Sequence, residues 1–156
     1  MITTITKKEI ITAKLDLCES GDIDHKSLFT SSSFEPGEII SEFGYKEIFK
    51  TPNYLTVQLD KDKHILLDPE YLQYINHSCE PNVHFNTTKM VVEAIKYIPE
   101  GEQLTFFYPS TEWTMDRSFE CLCGSEHCLK LIEGASKIPL NILNNYHLSA
   151  YIKSLI

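Results

Sequence analysis

The sequence predicts a mainly β domain of short strands, with helix confined to its C-terminal end. Three observations carry this. Apolar residues come in runs of four or five broken by turn signals; no run of strand alternates with a long helical pattern, which disfavours a parallel α/β fold; and helical spacing appears clearly only after residue 142.

Lys7 to Leu17, apolar at Ile10, Ile11, Leu15 and Leu17, reads as one strand, and Asp22-Ile23-Asp24 opens a loop. Ser27-Leu28-Phe29-Thr30 is the next strand. Glu35-Pro36-Gly37-Glu38 is a strong turn, because proline presets one backbone angle and glycine accepts a positive one. Ile39 to Phe43 follows as a strand. Leu55 to Leu59 alternates apolar and polar, and Asp60-Lys61-Asp62-Lys63 joins it to His64-Ile65-Leu66-Leu67 as a hairpin. Tyr71, Leu72 and Ile75 fall three and four apart, which predicts a helical turn over 70–75. Val83 to Phe85, Met90 to Ala94 and Gln103 to Phe107 continue the strands, with a turn at Pro99-Glu100-Gly101. Leu148, Tyr151, Ile152 and Leu155 predict a helix within 142–156.

The chain has 156 residues, 14 Lys plus Arg and 22 Asp plus Glu, for a net charge of −8. That length suits about one domain. With 42% hydrophobic and 23% charged residues the composition is that of a globular protein, not a disordered tail. The acidity argues against direct nucleic-acid binding, which depends on cations that displace counterions from phosphate, and favours basic partners. No apolar run reaches the roughly 18 residues that read as a membrane span, and the start lacks the layout of a secretory signal, so an intracellular protein is expected, cytoplasmic or nuclear.

Five cysteines in a reducing compartment are free thiols or metal ligands more often than disulfides. Cys121, Cys123 and Cys128 lie within eight residues around Gly124, without apolar periodicity. A structural zinc takes four thiolates or imidazoles in a tetrahedron, so this loop supplies three and the fourth comes from elsewhere. Cys79, His127 and Cys18 are the candidates; Cys18 also suits a small core position.

The run Asn76-His77-Ser78-Cys79, then Gly101-Glu102-Gln103-Leu104-Thr105-Phe106-Phe107-Tyr108, then Cys121 to Cys128 resembles, in order, the motifs of SET-domain protein lysine methyltransferases with a post-SET zinc loop. The resemblance covers roughly 27–132. It implies a fold of small curved sheets in which the first two motif segments pass one another as a pseudoknot, a post-SET zinc loop, and here a C-terminal helix beyond it. The corresponding division is a SET domain over 1–108, a post-SET segment over 109–134 and a helical extension over 135–156.

By the same resemblance S-adenosylmethionine is the methyl donor, and Cys79 joins Cys121, Cys123 and Cys128 on one zinc ion. Tyr108 is the catalytic tyrosine beside the departing methyl. Lys26, Ser27, Leu28, Asn76, His77 and Tyr108 bind the cofactor. Phe43, Phe106 and Trp113 line the substrate channel, although core packing also suits Phe43, and Trp113 also suits packing of the zinc loop onto the body. Leu131 and Ile132 are candidates for the wall that closes the channel, and Tyr146 and Tyr151 share the two readings of Trp113. The implied partner is a basic protein or peptide such as a histone tail. Phenylalanine at 106, in place of tyrosine, implies room for a second and third methyl.

The chain departs from the family pattern in its first motif. His25-Lys26-Ser27-Leu28-Phe29 stands where Gly-x-Gly usually opens the domain, so the bare backbone that approaches the cofactor is gone. Phe107 replaces an acidic residue, and the insert between Phe43 and Asn76 is short. A catalytically inactive, zinc-stabilised peptide-binding module is the competing function. A zinc hydrolase is a third, and it requires an open coordination position.

Overall fold

A computed structural model describes residues 5–20 and 25–156; the loop expected at Asp22-Ile23-Asp24 lies outside them. In chain order the strands are β1 (Ile5–Thr12), β2 (Leu15–Ser20), β3 (His25–Thr30), β4 (Ile39–Glu42), β5 (Gly44–Phe49), β6 (Thr56–Asp60), β7 (Lys63–Asp68), β8 (Asn76–His77), β9 (Val83–Asn86), β10 (Val91–Ala94), β11 (Thr105–Phe106), β12 (Phe119–Glu120) and β13 (Leu131–Ile132). They form three three-stranded sheets, β1-β2-β3, β4-β10-β9 and β5-β7-β6, and two two-stranded ones, β8 with β11 and β12 with β13. The mainly β fold of small sheets is therefore as expected.

Lys7 to Leu17 is not one strand but a hairpin, with Thr12 opposite Leu15 and a turn at Ala13 and Lys14. That connection contains neither glycine nor asparagine, so it carries no turn signal; the Thr12 hydroxyl closes it by accepting from the Lys14 N–H at 3.2 Å. The burial contrast agrees, with Ile10 77% exposed and Leu15 only 1%. The hairpin of β6 and β7 turns at Lys61 and Asp62, as the charged tetrad suggests. Strand β5 gives no pattern to read because most of its side chains face water; main-chain pairing with β7 defines it. Residues Glu70–Tyr74 form a 3-10 turn. Gly37 sits at φ 85°, and the Glu38 N–H donates to the Glu35 carbonyl at 3.0 Å, which closes the Pro-Gly turn.

The single C-terminal helix is corrected to two short ones, α1 (Leu140–Leu143) and α2 (Ala150–Ser154). One anchor to distant residues and one local cap interrupt it. The Tyr146 ring stacks on Phe107 at 3.6 Å between centroids while its hydroxyl donates to the Cys79 carbonyl at 2.7 Å, and the Ser149 hydroxyl accepts from the Ile152 N–H to cap α2.

Two hydrophobic cores result. The first holds Leu28, Phe34, Ile65, Phe85 and Leu104 among the sheets; the second joins Cys79 and Phe107 to Cys121, Ile132, Leu143 and Ile152. The C-terminal extension and the cysteine loop are thus parts of one packed unit. Gly134, at φ 115°, permits the close approach of two segments within this unit, since a Cβ there would lie 2.5 Å from the Trp113 carbonyl oxygen.

Candidate active site and metal centre

Strand β8 runs parallel to β11, with Asn76 opposite Thr105 and His77 opposite Phe106, so the two motif segments lie side by side. The contact continues past the strands. The Ser78 N–H donates to the Phe106 carbonyl at 3.0 Å, and the buried Asn82 side chain donates to the Gln103 carbonyl while accepting from the Thr105 N–H.

His77 ties this crossing to both flanking groups. Its Nδ1 accepts from the Tyr108 N–H at 3.1 Å, and burial lowers its pKa to about 4, so the ring is neutral and its proton sits on Nε2. That Nε2 lies 3.5 Å from Cys79 Sγ. The ring packs against Phe107, Tyr108 and Phe119. One neutral imidazole therefore sets the backbone of the tyrosine and faces a thiol of the cysteine cluster, an arrangement the sequence did not suggest.

Tyr108 opens a 3-10 turn that Pro109 continues. Its ring lies 4.7 Å from Phe106 and 5.9 Å from Phe119, and the three share the wall of a cavity of about 250 Å³ with Tyr54, Leu67 and Glu112. Burial, then the Glu112 charge, raise the phenol to about 12. At neutral pH the hydroxyl keeps its proton, so it acts as a dipole and not as a base.

Of the channel candidates, Phe106 reaches this cavity. Phe43 is buried edge-to-face against Phe85, and Trp113 packs in the second core; neither lines the cavity. Leu131 and Ile132 form β13, with Ile132 in the second core.

Among the cofactor candidates, the Asn76 side-chain amide lies 3.0 Å from Ser27 Oγ, 3.1 Å from the Lys26 carbonyl and 3.2 Å from His25 Nε2. The segment that replaces Gly-x-Gly is thus held directly against β8. Lys26 Nζ lies over the Tyr74 ring and 3.8 Å from Glu19. Leu28 is fully buried and its carbonyl accepts from the Leu104 N–H, so its side chain faces the core. Of the cofactor candidates only Tyr108 lines the cavity; the cavity's aromatic faces at Phe106, Tyr108 and Phe119 suit a cation, and Lys26, Ser27, Leu28, Asn76 and His77 lie outside that wall.

The sulfurs of Cys79, Cys121, Cys123 and Cys128 all lie within 4.8 Å of one another, and Cys79 and Cys121 are 3.9 Å apart. A zinc tetrahedron with bonds of about 2.3 Å needs sulfur separations of about 3.8 Å, so the four fit one ion. Burial pushes the Cys79 thiol up and the Cys121 thiol to about 11. Burial acts upward on Cys123 as well, but backbone hydrogen bonds and neighbouring thiols bring it down to about 6. His127 is outside this group and lines a separate cavity of about 290 Å³ with His84 and His147; Cys18 is buried in the N-terminal hairpin. A four-thiolate set leaves no open position for a hydrolytic water.

Glu112 is a residue that sequence reading missed. Its N–H donates to the Tyr108 carbonyl at 3.1 Å, one turn on, and its Oε2 accepts from the Gln58 N–H at 2.9 Å and the Thr111 hydroxyl at 2.7 Å. Gln58 also accepts the Trp113 N–H on its side-chain oxygen, so β6 clamps the whole segment. The available signal was a single carboxylate four residues after the tyrosine, among the otherwise uncharged residues of Pro109 to Met115.

Burial raises Glu112 to about 7, outweighing its two hydrogen bonds. The fold therefore favours the protonated form: this stability is complete below about pH 4 and is lost as pH rises through 7. At about 1.4 kcal/mol per pH unit the loss is on the order of 3 kcal/mol by pH 8. Glu112→Gln keeps an acceptor for both donors, so it should stabilise the free protein by about 2–3 kcal/mol at pH 8 and give no gain at pH 4. Denaturant melts at the two pH values check this.

The match to known families agrees with this geometry: the model for the SET domain matches residues 4–109. The chain belongs to the SET domain family. Among curated relatives, Methyltransferase flvH of Aspergillus flavus is 40% identical over 105 residues, 66% of this chain and 58% of that protein. Histone-lysine N-methyltransferase, H3 lysine-9 specific KMT1 of Fusarium mangiferae is 33% identical over 78 residues, 38% of this chain and 23% of that protein. Histone-lysine N-methyltransferase ash1 of Drosophila melanogaster is 27% identical over 117 residues, 65% of this chain and 5% of that protein. The chain thus spans well under two thirds of the relatives it matches. The family match reaches further toward the N-terminus than the residues that carried the resemblance, and takes in the β1-β2 hairpin. No described helix is long and apolar enough to cross a membrane.

Proposed function

We propose that this SET-domain chain transfers methyl groups from S-adenosylmethionine to lysine side chains of a basic protein or peptide, a histone tail being one such substrate. The observation that carries the reading is the placement of Tyr108 and Phe106 on one cavity wall at the crossing of β8 and β11. S-adenosylmethionine supplies an electrophilic methyl on a sulfonium. Lys26, Ser27, Asn76, His77 and Tyr108 are the proposed residues that hold it, and zinc on Cys79, Cys121, Cys123 and Cys128 holds the loop beside them. The Tyr108 hydroxyl, protonated at neutral pH, orients the reacting amine, and the rings of Phe106 and Phe119 receive the cation. The net charge of −8 attracts a basic segment. The names of the relatives, one a methyltransferase and others histone-lysine methyltransferases, support the same class.

Methyl transfer from labelled cofactor to a lysine-rich histone peptide tests the proposal; no transfer to peptides or whole histones overturns it. The engagement of Asn76 by the Lys26 carbonyl and Ser27 favours one alternative, an inactive peptide-binding module. Calorimetry separates the two. The module binds basic peptide and leaves S-adenosylmethionine unbound, whereas the enzyme binds both.

Phe106 governs the product. Its ring, 4.6 Å from Phe85 and 4.7 Å from Tyr108, carries no hydroxyl to hold a water against the substrate nitrogen, so the channel accepts a second and a third methyl. Phe106→Tyr should shift product toward monomethyl with less than about threefold loss in the first transfer, since the added oxygen competes only for the space of later methyl groups. Mass spectrometry of peptide after long incubation reads this directly. Wild-type product that stops at one methyl contradicts it.

A further inference from the structure

We infer that Glu112 is an ammonium-binding group of the cavity that holds the substrate amine as a cation and takes up its proton. The carboxylate is buried, with 7% of the residue exposed, and it lines the same cavity as Tyr108 and Phe106. Both of its hydrogen bonds end on Oε2; among the described residues Oε1 accepts none. Oε1 is not sealed off as the buried His64 Nδ1 is, and on the wall of a cavity with aromatic faces it is a ready acceptor for an occupant that brings N–H donors and positive charge. The other ionisable groups on the cavity wall are Tyr54, Tyr108, Asp116 and Arg117. Tyr108 remains protonated at neutral pH, and Arg117 makes no ion pair with Glu112 among the described residues.

This places an acceptor where the reaction lacks one. A lysine amine has a pKa of about 10.4 and enters as –NH3+. One N–H bond breaks, the proton passes to Glu112 Oε1 to give the neutral acid, and the N–H electron pair stays on nitrogen as the lone pair. Burial raises the carboxyl to about 7 in the free cavity, closer to the amine than an ordinary glutamate; pairing with –NH3+ lowers it again, so the neutral amine forms as the minor state of the pair, and the aromatic faces of Phe106 and Tyr108 complete a site for an alkylammonium ion. Between about pH 7 and 10 the carboxylate is ionised and the amine is charged, so binding is tightest there and weakens as pH falls through 7.

The inference deepens the proposed function and rests on it for the identity of the amine. The test uses n-butylammonium, which matches a lysine side chain, titrated by calorimetry into the whole protein at pH 8 and pH 5.5. Wild type should bind at pH 8 at least tenfold more tightly than at pH 5.5, and Glu112→Gln should lose at least tenfold at pH 8. Equal affinity in the two proteins, or no binding by wild type, overturns the site. A second measurement needs no variant: carbon NMR of the Glu112 carboxyl should show its titration midpoint fall by a unit or more when n-butylammonium is present, and an unmoved midpoint overturns the assignment. If Glu112-dependent binding is found while lysine peptides remain unmethylated, the ammonium site stands and the methyltransferase reading falls. If lysine peptides are methylated while Glu112→Gln binds the amine as wild type does, the methyltransferase reading stands and the ammonium site falls.

Discussion

Tyr108→Phe is expected to lower methyl transfer by roughly 10²-fold or more while S-adenosylmethionine affinity changes less than about threefold, because one oriented dipole acting mainly on the transition state is removed. The loss should be clean. The tyrosine's backbone is set by the His77 imidazole, its ring is bracketed by Phe106 and Phe119, and none of these contacts uses the hydroxyl. With the phenol raised to about 12, the wild-type rate between pH 6 and 9 should carry no inflection from this residue. Steady-state kinetics with a histone peptide, with cofactor binding measured separately, provide the check; retained turnover would move the role to another group.

Removing a zinc ligand should have the larger structural effect. Cys79→Ser, Cys121→Ser, Cys123→Ser and Cys128→Ser should each reduce bound zinc from one ion per chain to near none, and a strong chelator should do the same to wild type. Apparent binding energies of structural zinc are on the order of 10 kcal/mol, far beyond what β12 and β13, two residues each, provide alone. Cys79 belongs to the second core, and its carbonyl anchors Tyr146, so metal loss should loosen α1 and α2 as well as the cysteine loop. Methyl transfer should be abolished with it. Metal analysis and hydrogen exchange over 119–152 measure both effects, and full zinc in Cys79→Ser would point to a different fourth ligand, His127 first.

Denaturant melts at pH 8 and pH 4 and product analysis with Phe106→Tyr probe weaker effects, yet together with the ammonium titration they ask whether one cavity serves binding, proton uptake and product control.

Short apolar runs with turn signals were enough to place most strands, because burial of alternate residues leaves a local mark: Val57, Ile65, Val83, Phe85 and Val92 are all buried on expected strands. The Pro-Gly turn before β4 was legible for the same local reason. The cysteine spacing around Gly124 was legible as a cluster, and the structure gathers its three sulfurs with that of Cys79 within 4.8 Å, a set that could hold a metal ion. Strand β5, the hairpin turn at Ala13 and Lys14, and the break between α1 and α2 left no such mark. Main-chain pairing and two anchors distant in sequence, Phe107 and Cys79, decide them.

The chain's composition and motifs by themselves determined that this is a small acidic β protein carrying a cysteine loop and a tyrosine-bearing segment. Only the tertiary structure decided which groups meet. It brought Cys79 to within 3.9 Å of Cys121 across 42 positions, turned His77 between Tyr108 and Cys79, buried Phe43 away from the cavity, and set Glu112 on its wall. Local patterning records which face of a strand leaves water, but not which distant segment it meets; that is set by the crossing of β8 and β11, where hydrogen bonds join residues about thirty positions apart.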